Sequence, residues 1–360
     1  MLTIKSFKPS TNTILYSPIP TSLMFEPINL CNAKCFSCPY TEYSTDKTFT
    51  SQKMSVEQIT QLIDNWGSLL RKYNIKPWSV AVLPWRYSDP LVNPHLETVL
   101  QLADKHKIMV SLTTNAISFG KRQCDLLQKY IHTVNKKIFV SVIGFTEQEV
   151  WDQMKVRRQK TFQSLEFVRD NYPELSMMLD IAVKNKNNKP APDSTLEEYK
   201  KRTLSKKAKS KTNWMYNRAG TGDGHWTRPV GWKSSPTSFV NGCGLTPGKI
   251  LNRLDIMVSG RAALCCDMPF DRNFPIEQTN YGNVFEIGIE GVWANLTKEH
   301  QLIYDQEFSE NKLKLICNNC DRAGIKFADQ KKPFQGWNIG KTINRQNKYK
   351  NRYFKHKIIQ

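Results

Sequence analysis

Cys31-Asn32-Ala33-Lys34-Cys35-Phe36-Ser37-Cys38 places three cysteines within eight residues, directly after the apolar run Ser22-Leu23-Met24-Phe25-Glu26-Pro27-Ile28-Asn29-Leu30. A CxxxCxxC loop at the end of a strand can ligate three irons of a [4Fe–4S] cube and leave the fourth open to a small molecule. A buried-thiol cluster or part of a zinc site are the alternatives for the same spacing.

Outward from this loop the chain alternates between helical and extended patterns. Ser55 stands as a cap before a helix with Ile59, Leu62 and Ile63 at helical spacing. Strands are expected at Trp78–Leu83, Ile108–Thr113, Ile138–Val142 and Met177–Val183, and helices at His95–His106, Lys121–Ile131 and Gln148–Asn171. This order predicts an α/β fold with a parallel sheet and right-handed crossovers, whose chemistry sits at the C-terminal ends of the strands. Residues 184–240 are rich in Asn, Lys, Pro and Gly without periodicity, and read as a linker or a segment covering the substrate.

The 360 residues allow one large domain and a smaller one. Nine cysteines, an odd number lying in clusters, suit metal binding in a reducing compartment better than a disulfide framework. The start Met1-Leu2-Thr3-Ile4-Lys5 has no signal-like apolar run, and no stretch reaches the roughly 18 apolar residues of a membrane span. A cytoplasmic protein without membrane attachment is therefore expected. The formal charge of +20 is uneven. Residues 200–211 carry seven basic side chains and no acid, and the last 35 residues carry ten against one Asp, interleaved with Phe327, Phe334, Trp337, Tyr349, Tyr353 and Phe354. Such segments serve either as a solvated lysine-rich surface or as a contact for nucleic acid or another polyanion.

Over residues 22–200 the chain resembles the radical S-adenosylmethionine (AdoMet) superfamily. The cysteine triple, with Phe36 close by, is its first motif. Tyr87-Ser88-Asp89-Pro90-Leu91-Val92-Asn93-Pro94-His95-Leu96 is similar to the family's GGEPLLNPHL strand end, with Tyr87 and Ser88 in place of both glycines and Asp89 in place of the glutamate. Leu112-Thr113-Thr114-Asn115-Ala116 resembles its TNG segment. Val140-Ser141-Val142-Ile143-Gly144 resembles SxDG, with Ile143 in place of the aspartate. The resemblance implies a partial (β/α)6 barrel and a [4Fe–4S] cluster on Cys31, Cys35 and Cys38. It implies AdoMet held by Ser88, Asp89, Asn115 and Ser141, with Arg157 or Arg158 as partner of the AdoMet carboxylate. It further implies an external electron donor of the flavodoxin or ferredoxin type.

A second cysteine set follows: Cys243, the pair Cys265-Cys266, and Cys317-Asn318-Asn319-Cys320. With Asp255–Asp267 as a hairpin and Tyr281-Gly282-Asn283-Val284 as the next turn, it resembles the small α+β SPASM/twitch extension of the same superfamily, in its shorter twitch form. The resemblance implies one auxiliary [4Fe–4S] cluster on Cys243, Cys265, Cys317 and Cys320, with Cys266 as an alternative to Cys265. A four-cysteine zinc site is the competing assignment. Cys124, in a helical pattern, reads as a core thiol.

Asn213–Gly220 is similar to a stretch found ahead of such cysteines, which makes Asn217, Arg218 and Asp223 candidate substrate contacts and the nearby His225 a candidate proton acceptor. The expected organisation is an N-terminal extension (1–21), the barrel (22–200), a basic linker and covering loop (201–240), the auxiliary domain (241–325) and a basic aromatic tail (326–360).

A fully ligated second cluster suits acceptance of the electron left on a substrate radical, hence net oxidation. The leading expectation is a radical AdoMet oxidoreductase. Modification of a nucleic acid or nucleotide by the same chemistry, and a non-catalytic iron–sulfur or zinc protein, are the alternatives.

Overall fold

The structure, a computed structural model, describes residues 15–36, 38–187, 189–211, 250–264 and 281–310. Strands β1 (Leu15–Tyr16) and β2 (Ser22–Phe25) precede the cysteine loop, which leads into helices α1 (Pro39–Tyr43) and α2 (Val56–Lys72). Next come β3 (Ala81–Leu83) with α3 (Leu96–Lys105), and β4 (Met109–Thr114) with α4 (Lys121–Lys129). Strand β5 (Val134–Ile143) is followed by α5 (Glu147–Met154), α6 (Arg158–Asn171) and α7 (Pro173–Met178). Then come β6 (Leu179–Lys184), α8 (Asp193–Lys200) and β7 (Ala208–Ser210). Strands β8 (Ile250–Leu251), β9 (Arg253–Ile256) and β10 (Ala262–Ala263) and helix α9 (Val284–Glu310) complete the described chain.

One sheet runs β10-β9-β2-β3-β4-β5-β6-β7, and β1 pairs separately with β8. From β2 to β7 the strands lie in chain order, all parallel and joined by helical crossovers. This is the parallel α/β sheet expected from the alternation of patterns, with the six strands that the resemblance implied. Val82, Leu112, Val140, Ile181 and Val183 are fully or almost fully buried with Ile63, Val99, Leu127 and Leu165 of the helices in one core. Each such side chain contributes about 1.5–3 kcal/mol.

Helix α2 shows how local sequence sets an element. Ser55 Oγ accepts from Gln58 N at 3.2 Å while Gln58 Oε1 accepts from Ser55 N at 2.9 Å, a reciprocal cap. Ile59, Leu62, Ile63, Trp66, Leu69 and Leu70 form its buried stripe. Trp66 Nε1 donates to Pro20 O at 2.8 Å, fixing the chain that leads into β2.

Three differences from the sequence reading have local causes. The strand expected at Trp78–Leu83 begins only at Ala81, because Pro77 opens a 3₁₀ turn over Pro77–Ser79. The helix expected over Gln148–Asn171 is broken at Lys155, which adopts the left-handed conformation (φ 57°) between α5 and α6. The segment read as an unpatterned linker after residue 184 contains α8 and β7, so the sheet continues past residue 200. Arg202 lies 4.0 Å from the centre of the Phe162 ring, and Arg158 lies over both Phe162 and Tyr199, whose rings meet edge-on across α6 and α8.

At the other edge, β9 runs parallel to β2 and antiparallel to β10, which stands where a hairpin was expected. Leu254, Ile256, Ala262, Val292 and Trp293 share the barrel's core, so residues 250–264 extend the barrel sheet. Helix α9 is tied to the N-terminal half by Trp293 Nε1 donating to Ser17 O (2.9 Å) and by Glu290 accepting from Lys72 and Tyr73. Among the described residues no helix is long and apolar enough to cross a membrane.

Candidate active site

The cysteine loop leaves the C-terminal end of β2 and is held by its main chain. Asn29 accepts from Gln52 N (2.7 Å) and donates to Thr50 O (3.1 Å), bracing the start of the loop. Lys34 N donates to Met154 O and Phe36 N to Gln153 O, both at 2.8 Å. These two carbonyls belong to the last turn of α5, and the left-handed break at Lys155 ends the helix there. Cys35 O accepts from Cys38 N (2.9 Å) and from Thr41 Oγ1 (2.6 Å).

All three thiols are half-buried. Cys31 and Cys35 pack on the main core, and Cys31 and Cys38 on a small cluster around Tyr40 and Tyr87. Burial pushes the Cys31 thiol up to about 12, with the Asp89 charge adding to it. Burial likewise raises Cys35, reinforced by Cys38 and Cys31 and opposed by the positive charge of Lys184. The three sulfurs, Asp89 and Lys184 thus share one electrostatic neighbourhood. Among the described residues no trio of His, Cys, Asp or Glu converges tightly enough to hold a single metal ion. A cluster in which each thiolate takes a different iron asks for wider spacing than that.

Asn115, at the end of β4, meets the loop. Its Nδ2 donates to Asn32 Oδ1 at 2.5 Å and lies 4.0 Å from Cys31 Sγ, while Asn32 Nδ2 donates to Ser118 Oγ at 2.7 Å. Asp89 is 2% exposed and faces inward. It accepts from Leu91 N (2.9 Å), Thr114 Oγ1 (2.8 Å) and Asn115 N (2.9 Å), so its charge is spent largely on the turn that carries Asn115. Burial raises its pKa against those hydrogen bonds. The Tyr87 ring, at the position where the family pattern has glycine, packs with Tyr40, Cys31 and Cys38 under the Arg86 guanidinium at 4.8 Å. The Ser88 hydroxyl is buried without a hydrogen-bond partner in the protein, an offered polar group at the strand end where AdoMet is expected. The donor set therefore fits the expected cluster and cofactor.

Of the sequence-predicted residues, the structure brings Cys31, Cys35, Cys38, Asp89 and Asn115 together, with Ser88 adjoining. Ser141 sits half-buried on β5, in register with Ala182 of β6. Arg157 is exposed and stacks on Trp151 at 4.8 Å, and Arg158 pairs with Glu198. Lys184, the last residue of β6, puts a positive charge near Cys35. Its place at a strand's C-terminal end is the signal that could have found it. Gln153 and Asn32 carry no such signal, because one acts through a main-chain carbonyl and the other through a neighbour's amide. Cys243, Cys265, Cys266, Cys317, Cys320, Asn217, Arg218, Asp223, His225 and the tail 326–360 lie outside the described residues.

One residue of the SxDG-like segment is required by geometry. Gly144 has φ 119°, and a Cβ there would meet Val150 N at 2.5 Å.

No family model matches the chain, and no curated protein matches it. Among solved structures it aligns with BtrN in complex with AdoMet and 2-DOIA, at 14% identity over 84% of this chain and 93% of that one, with a TM-score of 0.50. It also aligns with Streptococcus suis SuiB bound to precursor peptide SuiA (16% identity, 77% of this chain and 65% of that one, TM-score 0.44). A third is native anSMEcpe with bound AdoMet (13% identity, 94% and 98%, TM-score 0.46). At such identities the likeness is one of fold. With BtrN, a structure solved in complex with AdoMet and 2-DOIA, the chain shares its fold.

Proposed function

We propose that the chain is a radical AdoMet enzyme, with Cys31, Cys35 and Cys38 holding a [4Fe–4S] cluster and AdoMet binding across the ends of β3, β4 and β5. The observation that carries this reading is the gathering of three half-buried thiols, the Asp89 carboxylate and the Asn115 amide at one set of strand ends. A cluster bound there supplies the electron that splits AdoMet and starts hydrogen abstraction from a substrate carbon.

The chain's own residues orient and shield. Asn115 points its amide at Cys31 and Asn32, fixing the loop beside the AdoMet-binding turn. Ser88 offers its unpartnered hydroxyl to the cofactor's amino group. Asp89 sets the turn geometry from beneath, and Ser141 presents a hydroxyl from β5. Tyr40 and Tyr87 cover Cys31 and Cys38 and keep water from that side. For the finer reaction we infer net oxidation, with an auxiliary cluster on Cys243, Cys265, Cys317 and Cys320 and electrons from a flavodoxin- or ferredoxin-type donor. The support for this part is the ligand count in the sequence.

Anaerobic reconstitution followed by AdoMet and dithionite tests the reading. Wild type is expected to release 5′-deoxyadenosine, and Cys35→Ala to release none. About eight irons per chain are expected for two clusters and about four for one. Iron-loaded wild type that leaves AdoMet intact would turn the assignment to a non-catalytic iron–sulfur protein, and zinc in the second site would remove the auxiliary cluster.

A further inference from the structure

Helix α5 ends on Gln153-Met154, and this pair reaches the cysteine loop and two strand ends at once. The left-handed residue Lys155 stops the helix, so the carbonyls of Gln153 and Met154 have no donor within it. The cysteine loop supplies the donors, Phe36 N to Gln153 O and Lys34 N to Met154 O, both at 2.8 Å. The two side chains hold other parts of the barrel. Gln153 Oε1 accepts at 2.8 Å from Lys186 N, two residues beyond the end of β6. Met154 Sδ accepts at 3.0 Å from the main-chain N of Ile143, the last residue of β5.

Gln153 and Met154 are both buried, whereas Trp151 and Asp152 on the same helix are exposed. A helix of eight residues does not hold its own shape or place, so α5 depends on what its inner side grips. Part of that grip is the close approach of Val150 to Gly144, just past the end of β5. The rest includes the bonds from Ile143 and Lys186. Gly144 N in turn donates to Lys184 O at 2.7 Å, which joins the ends of β5 and β6 to each other.

The opening of the cysteine loop is braced elsewhere, at Asn29 and through Asn32 to Asn115. Its middle, with Cys35 between the two held amides, takes its place from Gln153-Met154. Each residue of the pair joins the loop by its carbonyl and a strand end by its side chain.

Resting on the radical AdoMet reading, we infer that Gln153 and Met154 are positioning residues, which set Cys35 and the cluster expected on it against the ends of β5 and β6. A shift of either strand end reaches the cysteine loop through a single residue. AdoMet bound at the end of β5 is thereby held in register with the thiols.

The first measurement is hydrogen exchange of the full chain, which needs neither cluster nor AdoMet. Gln153→Leu removes the acceptor and should speed exchange at Lys186 about three- to tenfold, as loss of one hydrogen bond does. Lys34 and Phe36 should speed up by a like factor. Met154→Leu, which keeps the side-chain volume, should do the same at Ile143, Lys34 and Phe36. Gln153→Glu keeps an oxygen for Lys186 N and should return the wild-type rates. Val99→Ala in α3 loosens the barrel away from this corner and should leave the loop amides no faster than the rest of the chain. The second measurement titrates AdoMet into reconstituted holoprotein and follows the EPR signal of the iron-loaded fraction. The midpoint should rise about threefold or more in Gln153→Leu and Met154→Leu, and should stay at the wild-type value in Gln153→Glu. Acceleration confined to Lys186 and Ile143, selective acceleration of the loop in Val99→Ala, or an unmoved AdoMet midpoint would each overturn the inference. Wild type that takes up no AdoMet would sink the radical reading instead, and because exchange is read without AdoMet the two failures are distinguishable.

Discussion

The Asp89 carboxylate takes the Thr114 hydroxyl at 2.8 Å, and the same oxygen takes Asn115 N at 2.9 Å. One buried side chain thereby locks the turn after β3 to the end of β4. Thr114→Val and Asp89→Asn should each destabilise the chain by about 1–3 kcal/mol, since a buried polar partner is left unmade. In the double variant the losses should fall short of additive by about 1 kcal/mol or more. Urea denaturation of all four proteins measures this, and strictly additive losses would dissolve the lock.

Asn115→Asp exchanges an amide donor for a carboxylate facing Asn32 Oδ1 and Cys31 Sγ. Repulsion at both acceptors should lower iron incorporation well below that of wild type under identical reconstitution, while Asn115→Gln should lose less. Iron content matching wild type in the Asp variant would show that the amide plays no part in arranging the loop.

Lys155 occupies a left-handed position at φ 57°. That conformation costs an ordinary residue roughly 1–2 kcal/mol that glycine does not spend. Part of the gain is offset by glycine's freedom in the unfolded chain. Lys155→Gly should therefore stabilise by about 0.5–1 kcal/mol, seen as a Tm raised by a few degrees. A lowered Tm would mean that the lysine side chain itself holds the α5–α6 junction.

Burial works against the charge of Asp180, yet hydrogen bonds from Lys137 and Lys209 outweigh it and hold the carboxyl below its ordinary value. A carboxyl so lowered stabilises the fold above its unfolded pKa and loses that contribution as pH falls through the folded value. Asp180→Asn should cost about 2 kcal/mol at pH 7. The difference from wild type should be flat from pH 6 to 8 and shrink below about pH 4. A difference that persists unchanged at pH 3 would point to packing instead.

Where the pattern was periodic, the sequence was readable. Ile59, Leu62 and Ile63 behind the Ser55 cap announced α2, and the run before Cys31 announced β2 and the loop. Strand β7 was hidden because its three residues, Ala208–Ser210, alternate lysine with small side chains and follow a basic run. A short lysine-bearing edge strand blunts sheet growth and erases the apolar signal together. In the site, the cysteines and the Asn115 turn were visible as motifs. Arg157 was chosen by residue type, whereas Lys184 stands at the C-terminal end of β6, a position that composition does not carry. Tyr87 stands where the family pattern has glycine, and its ring packs with Tyr40, 47 residues earlier in the chain but adjacent in space.

The bonds from Lys34 N and Phe36 N to the carbonyls that end α5 bear on how a cluster held here would be kept. The loop takes much of its shape from main-chain bonds to a helix. A cluster lost to oxygen would leave behind a receptacle already formed, so repair calls for delivery of iron and sulfide and no refolding.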